Sequence, residues 1–262
     1  MQSSNVKSAL RVFEVLEFFM DKKTEQSLQE ITRSLGYPQS STTVLLKTMV
    51  SSGYLSYERA RRVYFPTAKL TALGEWVPAA LFGQTRMIDA LEFLHDSTHE
   101  GVTISTINDI YLQYMQILQS KHALRFTVDE GELRVLTHSV IGWTLLSSYT
   151  DDKIDNIVRR ANIASEPVNR VNPAVIIERV KTIRQQGYGW VEDIPILGSG
   201  TMCILLPERV RNLPAVLSLG GAKERVFQNR ERYFSALNQA AALTGNGGEG
   251  ISPLRTPQPM KI

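Results

Sequence analysis

The stretch SLQEITRSLGYPQSSTTVLLKTMVSSGYLSYERARRVYFPT, residues 27–67, decides the fold of the N-terminal part of the chain. Ser27-Leu28-Gln29-Glu30 has the form of a capping box. The serine hydroxyl accepts from a backbone N–H three residues on, and the glutamate reaches back to the start of the helix. The box opens a short helix with Leu28, Ile31 and Leu35 on one face, and Gly36 ends it in the left-handed conformation. Tyr37 and Pro38 form a turn. A second helix, capped by Ser40 or Ser41, runs to about Ser52 and stops at Gly53, with Thr42, Leu45, Leu46 and Met49 facing inward. Two short extended pieces follow, 53–57 and 63–66, joined by a loop that holds Arg59, Arg61 and Arg62. Upstream, residues 6–20 form an amphipathic helix whose stripe is Val6, Leu10, Phe13, Leu16 and Met20, widened by Ala9 and Val12. Three helices followed by a basic hairpin predict a winged helix-turn-helix over residues 1–68.

Outward from that segment, the chain of 262 residues is long enough for a second domain. Hydrophobic residues make up 43% of it, which supports a packed core. The net charge of +3 is too small to indicate a polyanionic partner by itself, so the placement of the charges decides more than their sum. The single cysteine, Cys203, allows no intrachain disulfide and fits a reducing cytoplasm. No apolar run approaches the roughly 18 residues that span a bilayer. No signal-peptide pattern follows Met1, so no membrane partner is expected.

Residues 69–97 have a helical pattern interrupted by Gly74, Pro78 and Gly83, and read as a linker in two pieces. From 98 to 243 the pattern is α+β around a mostly antiparallel sheet. The strands are predicted at 102–108, 111–119, 124–128 with 133–136, 190–194, 202–206 and 215–219, and the helices at 141–149, 151–161, 173–186 and 229–243. Residues 244–262, rich in Gly and Pro, are expected to be a disordered tail.

A helix-turn-helix places its second helix in the major groove. Gln39, Ser40, Ser41, Thr43, Val44 and Lys47 fall on the outward part of that helix and are the candidate contacts to double-stranded operator DNA. Small hydroxyls suit close approach, Lys47 supplies charge, and Val44 offers a methyl surface to thymine. Arg59, Arg61 and Arg62 are placed to reach phosphate or the adjacent minor groove. The same pattern also fits an ordinary three-helix bundle with a solvated face; the Gly-bounded helix and the arginine-rich hairpin favour DNA.

In order and spacing these residues resemble the IclR family of bacterial transcription regulators. The resemblance runs through Ser8-Ala9-Leu10, Leu28-Gln29-Glu30-Ile31, residues 41–49, Gly53-Tyr54-Leu55, Arg125, Gly131, residues 136–142, Gly187-Tyr188 and Pro207. It implies a winged helix, a linker helix and a C-terminal effector-binding domain related to GAF and PAS folds. It also implies homodimers or tetramers, and control by a small metabolite, often an organic or aromatic acid. The resemblance carries an effector site onto Asp193, Cys203 and Ser218, with Gly220 where a second serine is usual. It adds the backbone of Val140, Ile141 and Gly142, with Trp143 where lysine is usual. In the recognition helix, Val44 stands where the family often has arginine.

Backbone N–H groups at a helix start favour a carboxylate. Equally, each second-domain residue has a plainer role: Cys203 as a small buried hydrophobe, Ser218 bonded within its sheet, Asp193 closing a turn. His95 and His99 have zinc-like spacing but no third ligand, and Gly198-Ser199-Gly200 lacks the lysine of a phosphate loop. Neither a metal nor a cofactor is expected. A catalytic group of Cys203, His138 and Asp193 would need a thiolate inside an apolar strand, so catalytic residues are not expected either. The alternative function is a small-molecule sensor or enzyme whose N-terminal helices serve assembly.

Overall fold

The computed structural model describes residues 6–83, 85–245 and 258–260, which form two compact units divided between Ala80 and Leu81. The first begins with α1 (Lys7–Lys22), β1 (Gln26–Ser27), α2 (Leu28–Leu35) and α3 (Gln39–Ser51). Then come β2 (Leu55–Glu58), β3 (Val63–Pro66) and α4 (Ala68–Gly74). The capping box forms as expected: Glu30 N–H donates to the Ser27 hydroxyl, and Ser27 N–H donates to the Glu30 carboxylate at 2.7 Å. Gly36 ends α2 at φ +66°, where a side chain would be strained. The hairpin of β2 and β3 gains a third strand, β1, in the order β1-β3-β2. A two-residue strand has no periodicity to detect, so the sequence did not disclose it.

The core of this unit corrects the expected face of α1. Val15, Phe18 and Phe19 are buried with Ile31, Leu46, Met49, Leu55 and Tyr64, whereas Val6, Leu10, Phe13 and Met20 are exposed. Apolar residues occupy both sides of this helix. Two stripes of helical spacing compete, and packing on α2 and α3, not periodicity, selects one. In α3 the helix starts two or three residues earlier than the expected cap at Ser40 or Ser41 implies, at Gln39, after Pro38 and without a side-chain cap. Thr42, Leu46 and Met49 are buried, as its pattern predicts.

α5 (Val77–Phe82) spans the division, and α6 (Met87–Thr98) opens the second unit. Residues 69–97 therefore make three helical pieces, not two. Expected as part of a linker, α6 instead buries Met87, Ala90, Leu91 and Leu94 in the core of the second unit. The sheet is built from β4 (Gly101–Asn108), β5 (Tyr111–Leu118) and β6 (Leu133–Val135), then β7 (Gly189–Glu192), β8 (Ser199–Val210) and β9 (Leu213–Ala222). Between β6 and β7 lie α7 (Val140–Leu146), α8 (Asp151–Ala164) and α9 (Pro173–Gln186); α10 (Lys223–Gln228) and α11 (Arg230–Leu243) close the unit. All pairings are antiparallel, in the order β6-β5-β4-β9-β8-β7.

Helices cover both faces of the sheet. Val102 and Ile104 of β4 and Leu217 and Leu219 of β9 pack with α6 and α11. Val216 and Cys203 join a second cluster with α7, α8 and α9. The strand expected at 124–128 is instead irregular; its Leu124 and Val128 carbonyls accept from the Arg225 and Gln119 side chains, outside the sheet ladder. The predicted closing helix is α11, and α10, just before it, is an additional turn-and-a-half. Most of the expected tail, 246–257 and 261–262, lies outside the described residues. Residues 258–260 do have structure: Met260 N–H donates to the Trp190 carbonyl on the free edge of β7 at 2.8 Å.

Candidate functional site

The outward face of α3 carries Gln39, Ser40, Val44, Lys47 and Thr48, all exposed, with Ser41 and Thr43 half-buried. Val44 is 66% exposed, a large apolar side chain left in water beside polar neighbours. Several α3 hydroxyls are turned back on their own helix. Ser41 donates to the Pro38 carbonyl at 3.0 Å and Thr43 to the Gln39 carbonyl at 2.8 Å. Their lone pairs stay free to accept, but donation to phosphate requires those bonds to break.

The three wing arginines are not equivalent. Arg61 is clamped between two carboxylates: its Nε donates to Glu58 at 2.9 Å and its Nη2 to Glu25 Oε1 at 2.8 Å, with further Nη contacts to both. These bonds hold its guanidinium pKa above the ordinary arginine value, with Glu58 the larger cause and Glu25 the next. Arg61 thus ties the hairpin to the segment before β1. Arg59 and Arg62 are exposed and form no ion pair among the described residues. Sequence order could not separate them, because Glu25 is remote in the chain.

In the second unit a cavity of about 80 Å³ opens beside the sheet. One water needs roughly 10–15 Å³ of such space. The cavity is therefore sized for a small molecule. Val140, Ile141 and Ser218, three of the expected effector residues, line it. The other three do not. Gly142 packs on the Leu136 backbone, where an added Cβ would sit 2.0 Å from a carbonyl oxygen, and its N–H is held by the Ser139 hydroxyl. Its glycine serves helix packing, not ligand approach. Cys203 is fully buried against α7, with Sγ 3.1 Å from the Thr144 hydroxyl. Burial pushes its thiol up to about 12. Asp193 accepts from Gly198 N–H at 2.6 Å and pairs with Lys223 at 2.9 Å, so it closes the loop that carries Ile194, Pro195 and Ile196 to the cavity wall. The Gly198 N–H first, and Lys223 second, hold its carboxyl below the usual range.

Most other wall residues carried no recognised signal in the sequence, among them four that bring polar or aromatic groups. Thr103 on β4 shares a 2.7 Å hydrogen bond with Ser218, Tyr114 and Arg134 come from β5 and β6, and Phe126 from the irregular segment. The available signal was Thr103-Ile104-Ser105, small hydroxyls alternating inside a strand that is buried on both faces.

Two protein-family models match the chain in tandem. Residues 8–59 match the IclR helix-turn-helix domain, and residues 84–244 match the bacterial transcriptional regulator IclR C-terminal domain. The chain belongs to the IclR family of bacterial transcriptional regulators. It is similar to the HTH-type transcriptional regulator KdgR of Dickeya chrysanthemi, with 25% identity over 248 residues that span 92% of this chain and 79% of that one. It is also similar to the transcriptional repressor IclR of Escherichia coli, at 22% identity over 92% of this chain and 89% of that one. Among solved structures, the effector domain of an IclR transcriptional regulator from Acinetobacter sp. ADP1 is 44% identical, with a TM-score of 0.57, covering 62% of this chain and 95% of that one. The IclR-type regulator of Alicyclobacillus acidocaldarius shares the fold along 93% of this chain and all of that one, with a TM-score of 0.67 at 18% identity. This IclR-type chain is therefore a DNA-binding transcription regulator with a winged helix-turn-helix and a C-terminal effector domain. The catalytic group considered from sequence does not assemble, since His138 is hydrogen-bonded to the Asn169 carbonyl while Cys203 and Asp193 have the partners given above. Among the described residues, no three His, Cys, Asp or Glu side chains gather as a metal site, and no helix is long and apolar enough to cross a membrane.

Proposed function

We propose that this regulator grips operator DNA with Gln39, Ser40, Ser41, Thr43, Val44 and Lys47 of α3 and with Arg59 and Arg62 of the wing. Arg61 acts as the brace that positions the hairpin, not as a phosphate contact. Base readout then falls to Ser40, Thr43 and Val44, and charge neutralisation to Lys47, Arg59 and Arg62. The protein works in the cytoplasm as a homodimer or tetramer, matching its symmetry to repeated half-sites. It has no catalytic activity, needs no cofactor, and is switched by a small carboxylate bound in the cavity of the second unit.

The observation that supports effector control is the cavity itself, walled by Val140, Ile141, Ser218 and the loop that Asp193 closes. A ligand there alters transcription only if its affinity differs between the DNA-competent and incompetent arrangements. The test is anisotropy titration of a labelled promoter duplex with and without a panel of small acids. An acid that shifts DNA affinity, and loses that effect in Ser218→Val, fits the proposal. If every acid leaves DNA affinity unchanged, effector control by carboxylates is wrong.

A further inference from the structure

We infer that Arg134 holds the acid group of the effector, and that this effector is a small monocarboxylic acid with a hydroxyl or carbonyl at its far end for the Thr103–Ser218 pair. The inference rests on the preceding reading that the cavity takes an effector.

The charge of the cavity wall carries the first half. Among the described residues that line it, Arg134 alone bears a charge and none is a carboxylate, so this lining favours an anion and disfavours a cation. Arg134 is sheltered, its side chain only 21% exposed, and its one ion pair among the described residues is a single 3.2 Å contact to the half-exposed Glu132. Such a pair contributes little. A guanidinium has five N–H donors, so an edge remains for a two-point contact with a carboxylate. The Tyr114 ring lies beneath the guanidinium, centroid 5.9 Å away, and burial raises the Tyr114 phenol above its ordinary value, so the phenol is a neutral donor.

The second half comes from the sheet order. Arg134 is on β6 and Thr103 on β4, two strands away, with Ser218 on β9 beyond. Adjacent strands lie about 4.8 Å apart and a strand rises about 3.3 Å per residue; Arg134 is level with Ile107, four residues along β4 from Thr103, so the two anchor positions are roughly 16 Å apart along the backbone, a distance that the long arginine side chain shortens. One of the Thr103 and Ser218 hydroxyls donates to the other, which leaves the acceptor's own proton and several lone pairs for a ligand. Ile117, Ile141 and Ile194 supply apolar wall. A ligand that satisfies both anchors has an acid group, an apolar middle and a neutral polar end. A second carboxylate would meet hydroxyls without a countercharge.

The test is calorimetry on the full chain with 4-hydroxybenzoate, benzoate, 4-hydroxybenzamide and terephthalate, and with 6-hydroxyhexanoate and adipate as open-chain counterparts. In the wild type, a hydroxy acid binds best, and the amide and the diacids bind at least about tenfold more weakly. Arg134→Met lowers hydroxy-acid affinity about tenfold to a hundredfold, and Arg134→Lys recovers part of the loss through its charge. Ser218→Ala removes the preference for 4-hydroxybenzoate over benzoate. The wild-type comparison of acid with amide needs no variant to fold. Equal binding of acid and amide, unchanged affinity in a folded Arg134→Met, or binding by none of the acids overturns the inference. Acids that bind through Arg134 without altering DNA affinity support this assignment and remove the effector reading; a neutral compound that binds and alters DNA affinity does the reverse.

Discussion

Neutralising the wing arginines one at a time separates contact from brace. A protein that neutralises Z phosphates shows a log–log salt slope of about −0.9Z on B-DNA. Arg59 and Arg62 are exposed and without ion pairs among the described residues, so each counts as one phosphate contact per bound protomer. Between 50 and 200 mM salt, losing one contact shrinks the fall in affinity by about 3.5-fold, and losing two by about 12-fold. Arg59→Gln and Arg62→Gln therefore flatten the slope by about 0.9 each per protomer. Arg61→Gln leaves the slope nearly unchanged, because its guanidinium is already committed to Glu25 and Glu58. It lowers the thermal midpoint of the first unit instead. Freeing Arg61 with the double change Glu25→Gln and Glu58→Gln steepens the slope. Fluorescence anisotropy with any mixed-sequence duplex at four salt concentrations measures all of this, since the slope needs no operator. If Arg61→Gln flattens the slope as much as Arg59→Gln does, the brace assignment is wrong.

Three further outcomes follow from buried or capped groups. Glu100 is fully buried, accepts from Arg225 and Tyr233, and through Arg225 ties down the Leu124 carbonyl beside the cavity. Breaking such a pair with Glu100→Ala costs about 3–5 kcal/mol in denaturant unfolding, and a loss under 1 kcal/mol would be contrary evidence. The Cys203 thiol, raised to about 12 by burial, stays neutral and unreactive toward iodoacetamide at pH 8 in the native protein and reacts on unfolding. Its sign is that of a neutral acid: the folded state favours the protonated thiol, so stability is intact below the unfolded value near 9 and declines as pH rises toward 12. Rapid native alkylation at pH 8 would show the thiol to be accessible. Ser27→Ala removes the cap of α2 and costs about 1 kcal/mol by chemical denaturation of the first unit. The other half of the box titrates separately: the Ser27 N–H holds Glu30 below its ordinary value, so the carboxylate's own support of the helix start is present above the unfolded carboxylate range and fades as pH falls through the lowered folded value.

What the sequence disclosed and what it withheld divide along chain distance. The capping box, Gly36 and the inward face of α3 are local, so a few residues specify them. The buried face of α1 is not local: Val15, Phe18 and Phe19 win over an equally periodic stripe only because α2 and α3 sit against them. In the cavity, Ser218 and the start of α7 were legible, whereas Cys203 faces the opposite partner, Thr144, and Asp193 serves a turn. Spacing placed both in the region, but side-chain direction depends on helix docking and loop closure. Arg134 carried no signal, since only the pairing of β6 with β5 brings it to the wall.

The most direct test of the central claim is selection of duplexes from a random library by the full chain, repeated with Ser40→Ala and Val44→Ala. The account predicts enrichment of one motif made of related half-sites, with altered preference at single base positions in each variant. Recovery of no motif from the wild type, or an identical motif from both variants, would contradict readout by the exposed face of α3.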